Sequence, residues 1–210
     1  MNEKKMYKRI RNICGLLGML LPILAAVGAG LYRLHYPVPE GFWSKLSISA
    51  TYYMTPALAA VLTAASIVLM TYDGYGKVDN LVTTISGVFG LLIVLFPCNC
   101  VLARDYVGFF MLPAKVSAVI HNISACCFFI LLAFNSAFLF TQHNGEMTKQ
   151  KKMRNKIYVA CAIAMLVPML WMVLPVKSPS KTFVAELIML VAFGISWLVK
   201  GDALGLLKDK

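Results

Sequence analysis

Two ionisable side chains stand inside long apolar stretches of this chain. His121 lies in the block from about Val116 to Phe140, and Glu186 in the block from about Thr182 to Val199. Placing an ionisable group at membrane depth is expensive, so such a residue marks a functional site by default. An imidazole beside a carboxylate favours the charged form of both. That pair can anchor a ligand, form a proton-linked switch or act as an acid/base couple. The structural alternative is equally concrete: each group can snorkel, or bond to a neighbouring helix, purely for packing.

Counting residues puts the two at one depth. His121 is six residues inward from Lys115, about 9 Å of helix, and Glu186 is five inward from Lys181, about 7–8 Å. Both blocks run inward, so both side chains belong to the outer half. Ser47, Ser49, Thr51 and Tyr52 precede the second apolar block at the same level, and Asn122 and the Arg104–Asp105 pair can join them. The expectation is one outer-facing polar pocket, with His121, Glu186, Ser49, Tyr52, Arg104 and Asp105 as candidate ligand-binding residues. Direct pairing of His121 with Glu186 needs roughly 4–6 Å.

Other chemistry is poorly supported. One His and one Glu do not supply the three or four ligands of a zinc site. Cys98-Asn99-Cys100 does not have a standard zinc spacing, so neither a metal nor another cofactor is expected. Ser49 as nucleophile with His121 as base is conceivable, but no G-x-S-x-G segment accompanies it. Cys14, Cys126, Cys127 and Cys161 lie within apolar blocks, where a thiol behaves as a small hydrophobe. The twelve methionines read as packing filler.

The elements that position these residues are membrane helices. The chain has 210 residues, 60% hydrophobic and only 14% charged, against about 25% charged in soluble domains. Apart from Glu186, charge is missing from six blocks: about Ile13–Tyr32, Tyr53–Met70, Leu81–Pro97, Val116–Phe140, Ile157–Val176 and Thr182–Val199. Each approaches the roughly 20 residues of a span. The first is longer than the about 7–15 apolar residues of a signal peptide, so an uncleaved span is favoured. Gly87 and Gly90 suit close packing of the third block, and Pro168 suits a kink in the fifth. Residues 98–115 are too apolar for a plain loop and predict an interfacial or re-entrant segment. Asn135 and Ser136 are the one hint of a polar path continuing inward.

The net charge of +11 raises nucleic acid as a partner, but topology accounts for it. With the N-terminus inside, fourteen Lys and Arg fall in inner segments and six, Lys177 among them, in outer ones, as the positive-inside rule requires. Residues 141–156 are then a cytoplasmic orientation signal, with anionic lipid binding as the alternative. Trp43 and Trp171 are expected at the outer boundary and Trp197 at the inner one. These features predict an all-α polytopic bundle of about six spans, a single transmembrane domain with cytoplasmic termini, in the plasma (inner) membrane of a bacterium. Its expected partners are membrane lipids and a second copy or another membrane protein.

Leu46-Ser47-Ile48-Ser49-Ala50-Thr51 resembles the "YISDTG"-type segment of the damage-regulated autophagy modulator / Frag / Sfk family. His121, Ala125 and Phe129 form a His-x-x-x-Ala-x-x-x-Phe pattern similar to that family's motif in the corresponding span. Related bacterial membrane proteins share the outline. Ala50 stands where that segment has an acidic residue, and Tyr52 where it has glycine. The resemblance implies six helices, cytoplasmic ends and a first outer loop packed over the bundle. Its implications are architectural, because the family has no common chemistry. The alkaline ceramidase / adiponectin receptor group compares poorly, since its His-x-x-x-His pair would fall in late spans that here contain no histidine.

Function stays open among three classes. The leading expectation is a non-enzymatic binder of a lipid, small amphiphile or membrane partner, which needs a pocket open sideways to lipid. The second is a membrane enzyme acting on lipid, with His121 and Glu186 as acid/base groups beside a nucleophile or metal. The third is a small proton-coupled transporter.

Overall fold

The computed structural model describes residues 3–74, 76–143, 145, 147–175, 178–203 and 205, with the side chains of residues 3 and 4 excepted. Val176, Lys177 and most of the C-terminal tail, which the sequence assigns to the fifth block, the last outer link and the inner end, lie outside the described residues.

An apolar chain in lipid has no water for its backbone polar groups, so each spanning segment must close its hydrogen bonds internally. Six helices result: α1 (Glu3–His35), α2 (Ala57–Met70), α3 (Lys77–Leu95), α4 (Ala114–Phe134), α5 (Lys149–Val173) and α6 (Lys181–Lys200). Five of them are long and apolar enough to cross a membrane. The exception is α2, whose fourteen residues rise about 21 Å. A 3-10 turn, Ser49–Tyr53, precedes it. A π-turn, Asn135–Leu139, lengthens α4 at its C-terminal end.

Each helix packs against its neighbours in sequence, and α1 packs against α6 to close a six-membered ring. The Lys8–Asp202 ion pair, 2.9 Å, brings the start of α1 to the end of α6. Both ends therefore share one face of the bundle, the base; the opposite end is the crown. Small residues let the seams close. A Cβ on Gly15 would meet Gly194 O at 2.8 Å across the α1–α6 seam, and one on Gly87 would meet Ser66 O at 2.5 Å across α2–α3. Gly90 likewise abuts Ser66, so both glycines read from the third block do pack against a neighbour.

Several expectations need correction. Residues 149–156 are the opening turns of α5 rather than a linker. Thr148 starts that helix by accepting a hydrogen bond from Lys151 N at 3.0 Å, the usual N-cap role of a hydroxyl. In the same way α1 already runs through the basic residues 5–11. Trp197 does not lie at a lipid interface: it is 1% exposed and packs edge-on against Tyr72 and Phe140 in the base. In that base Lys151 Nζ donates to Phe140 O and Gln142 O (3.1 Å each), and Lys200 Nζ donates to Phe140 O (3.2 Å). Two cations thus close the carbonyl end of α4, where the helix dipole is negative.

Residues 98–115 form neither a plain loop nor a re-entrant helix. Tyr106–Val107 (β1) pairs antiparallel with Leu112–Pro113 (β2). Gly108 (φ 75°) and Met111 (φ 49°) supply the left-handed geometry of the tip. A Cβ at Gly108 would also press on Leu95 O at 2.5 Å. Phe109, Phe110 and Met111 project from this hairpin and are exposed.

Candidate functional site

The crown is closed by the segment between α1 and α2. Phe42, Leu46 and Ala50 are buried there with Ala29 of α1, and Cys98, Cys100 and Leu102 pack against them. Ser180 N donates to Ser44 O at 2.6 Å, tying the segment to the start of α6. Tyr53 Oη donates to Cys98 O at 2.7 Å, tying it to the segment after α3.

Glu186 is the inner anchor of this cover. Its Oε2 accepts Ile48 N–H at 2.5 Å and Ser49 N–H at 3.4 Å, and its Oε1 accepts the Ser49 hydroxyl at 2.6 Å. These amides open the Ser49–Tyr53 turn, whose first N–H groups have no partner within the turn itself. The carboxylate is therefore an N-cap supplied from another helix. Ser47 Oγ adds a local cap, accepting Ala50 N–H at 2.9 Å.

His121 does the complementary job at the end of α3. Its Nδ1 lies 2.9 Å from Phe96 O and 3.2 Å from Ile93 O, carbonyls of the last turn of that helix. Carbonyls only accept, so the proton resides on Nδ1, and neutral Nε2 carries the lone pair. Nε2 makes no hydrogen bond among the described residues. Ser117, one helical turn earlier, donates to Pro97 O at 2.8 Å. The crown face of α4 thus holds the end of α3 through two side chains.

His121 and Glu186 line one cavity of about 350 Å³ in the crown half. They are not bonded to each other; each is held by a different backbone end. All six helices and the Ile48–Ser49 segment contribute to the wall. Ala125 and Phe129 line it with His121, one helical face at i, i+4 and i+8. The wall is mostly apolar, and among the described residues Glu186 and His121 are its only groups from the Asp, Glu, His, Lys and Arg set. Four of the lining residues are exposed: Asn122 and Cys126 on α4, Val173 at the end of α5 and Thr182 at the start of α6. The mouth therefore lies beside α4, facing the ends of α5 and α6.

Of the residues singled out from sequence, His121, Asn122, Glu186 and Ser49 come together around this cavity. Tyr52 does not line it and packs against the main core instead. Arg104 and Asp105 are exposed beside the hairpin and do not line it either. Both immediately precede β1, at the surface. Ala125 and Phe129 were already named by the His-x-x-x-Ala-x-x-x-Phe pattern, whereas sequence reasoning missed Cys126, Met169, Met172 and Thr182. The signal available was the i+5 placement of Cys126 after His121. Three of the twelve methionines, Met169, Met172 and Met189, line the cavity, where flexible thioethers adapt to an irregular occupant.

The Cys98 thiol is pushed up to about 12, first by burial and then by Cys100 and Glu186 nearby, and burial raises Cys100 too. Both are protonated at neutral pH, which disfavours a thiolate role. Among the described residues no three His, Cys, Asp or Glu side chains converge.

No protein-family model, curated protein or solved structure matches this chain.

Proposed function

We propose that this is a six-span membrane protein that binds a small amphiphile from the outer leaflet, in the cavity lined by His121 and Glu186. The single observation that carries the proposal is the mostly apolar cavity that holds His121 and Glu186 and reaches the exposed residues Asn122, Cys126, Val173 and Thr182. A pocket of this volume, mostly apolar with a few convergent polar groups, has the composition of a small-molecule site. Access through a helix-lined wall suits a ligand already dissolved in lipid. The Lys and Arg count supports placing the base in the cytoplasm and the crown outside, in a bacterial plasma membrane. The short α2 completes the sixth span with the 3-10 turn before it, where local bilayer thinning takes up the remainder. The motifs around Ser49 and His121 support kinship with the autophagy modulator / Frag / Sfk-like families.

Purified protein in phosphatidylcholine nanodiscs, treated with a photoactivatable dodecyl amphiphile, tests the reading. Peptides containing Ala125–Phe129 and Met169–Val173 are expected to carry the label, and Ala125→Trp, which fills the cavity, to lose it. Equal labelling of the wild type and Ala125→Trp at these peptides refutes the proposal, and Cys126→Phe at the mouth provides a second occluding variant.

A further inference from the structure

The chemistry of the cavity wall narrows the occupant. This step rests on the amphiphile-binding reading above and goes on to the head group. Among the described residues the wall contains no Lys or Arg, so none of its described side chains compensates a negative head group. It already holds a carboxyl group, Glu186, and a second anion would face that group in a low-dielectric space where like charges repel strongly.

Away from the exposed Asn122 and Thr182, its hydrogen-bonding capacity is also one-sided. With the Nδ1 proton of His121 committed to Ile93 O and Phe96 O, the ring has only the Nε2 lone pair to offer. The Ser49 hydroxyl proton is directed at Glu186 Oε1. The deep polar groups therefore accept rather than donate. An acceptor that faces the cavity without a donor is best met by an occupant that brings one.

Size sets a third limit. At about 30 Å³ for each water-sized group, 350 Å³ holds on the order of a dozen heavy atoms. A diacyl phospholipid does not fit. One short chain with its head group does, and a longer tail must leave through the mouth beside α4.

We infer that the cavity selects a single-chain, uncharged or cationic amphiphile whose head group donates a hydrogen bond, such as a long-chain alcohol, amine or monoacylglycerol. The head group lies between His121 Nε2 and the Glu186–Ser49 pair, and the tail passes Ala125 and Cys126 toward lipid.

Three photoactivatable probes of equal chain length separate the claims in the same nanodiscs: a dodecyl alcohol, its methyl ether and a dodecyl sulfonate. Labelling is normalised to each probe's membrane concentration. The alcohol is expected to label the Ala125–Phe129 and Met169–Val173 peptides at least tenfold more than the sulfonate and several-fold more than the ether. Glu186→Gln is expected to raise sulfonate labelling toward that of the alcohol, a change that loosening of the fold would not confine to one probe. His121→Phe keeps the ring bulk and removes the acceptor, and is expected to erase the preference of alcohol over ether. If the three probes label the wild-type wall equally, the head-group inference fails while amphiphile binding stands. If none labels it above Ala125→Trp, both fail.

Discussion

The Glu186 cap lends itself to a quantitative test. In Glu186→Ala, the Ile48 and Ser49 amides and the Ser49 hydroxyl lose their acceptor. Ile48 is 1% exposed, so its N–H cannot turn to water without opening the cover. A hydrogen bond to a charged group contributes about 1.5–3 kcal/mol, and a stranded buried donor costs about 1–3 kcal/mol. Two short bonds and one long one, at 3.4 Å, suggest a loss of about 3 kcal/mol. At roughly 2–4 °C per kcal/mol for a chain of this size, the midpoint falls by about 6–12 °C. Ser49→Ala removes only the hydroxyl bond and should cost about 1–2 kcal/mol. The double variant should cost less than the sum of the two, because both singles break the same contact. Thermal unfolding in nanodiscs gives the magnitudes, and amide hydrogen exchange shows where they act. Protection is expected to fall at residues 46–53 and to stay unchanged at the base. If Glu186→Ala leaves exchange at 46–53 unaltered, the cap does not hold the cover, whatever happens to the melting temperature.

The remaining predictions concern the fold around that site. His121→Ala strands Phe96 O and Ile93 O, so about 1–3 kcal/mol of stability is lost with faster exchange at 93–97; an unchanged exchange rate there argues against the α3 cap. Gly15→Ala forces a Cβ to within 2.8 Å of Gly194 O, and overpacking of that kind costs about 1–3 kcal/mol, read as a lower unfolding midpoint. In a variant retaining Cys98 alone the contribution of Cys100 is gone, but burial, the largest cause, still holds the thiol above its ordinary value. Its thiolate fraction at pH 8 is therefore well below that of a free cysteine. Maleimide labelling should be slow at that pH and keep rising with pH beyond the ordinary thiol value. An environment-sensitive dye at Phe109→Cys should report an apolar setting in nanodiscs, since Phe109 is 76% exposed at the hairpin tip; a fully aqueous emission would place the tip in water.

The all-α membrane class was legible in the residues alone. A 60% hydrophobic chain with its charge expelled from long blocks has no other way to satisfy its backbone in lipid. Depth was legible too, because a helix converts residue count directly into distance; that is why His121 and Glu186 were read at one level and line one cavity. Their partners were not legible. The spacing suggested a His–Glu pair, yet rotation about each helix axis depends on packing with the rest of the ring, and it turned Glu186 to the Ile48–Ser49 amides and His121 to the end of α3. The 98–115 hairpin escaped because two-residue strands leave no period to read and are set by Gly108, Met111 and the contact of Phe109 N with Leu95 O. Helix starts at Glu3 and Lys149 escaped because hydropathy marks where lipid begins, whereas capping and base packing decide where a helix begins. What only the tertiary structure decided is the mouth beside α4. It depends on which faces of three helices fail to meet, and no single stretch of sequence contains that information.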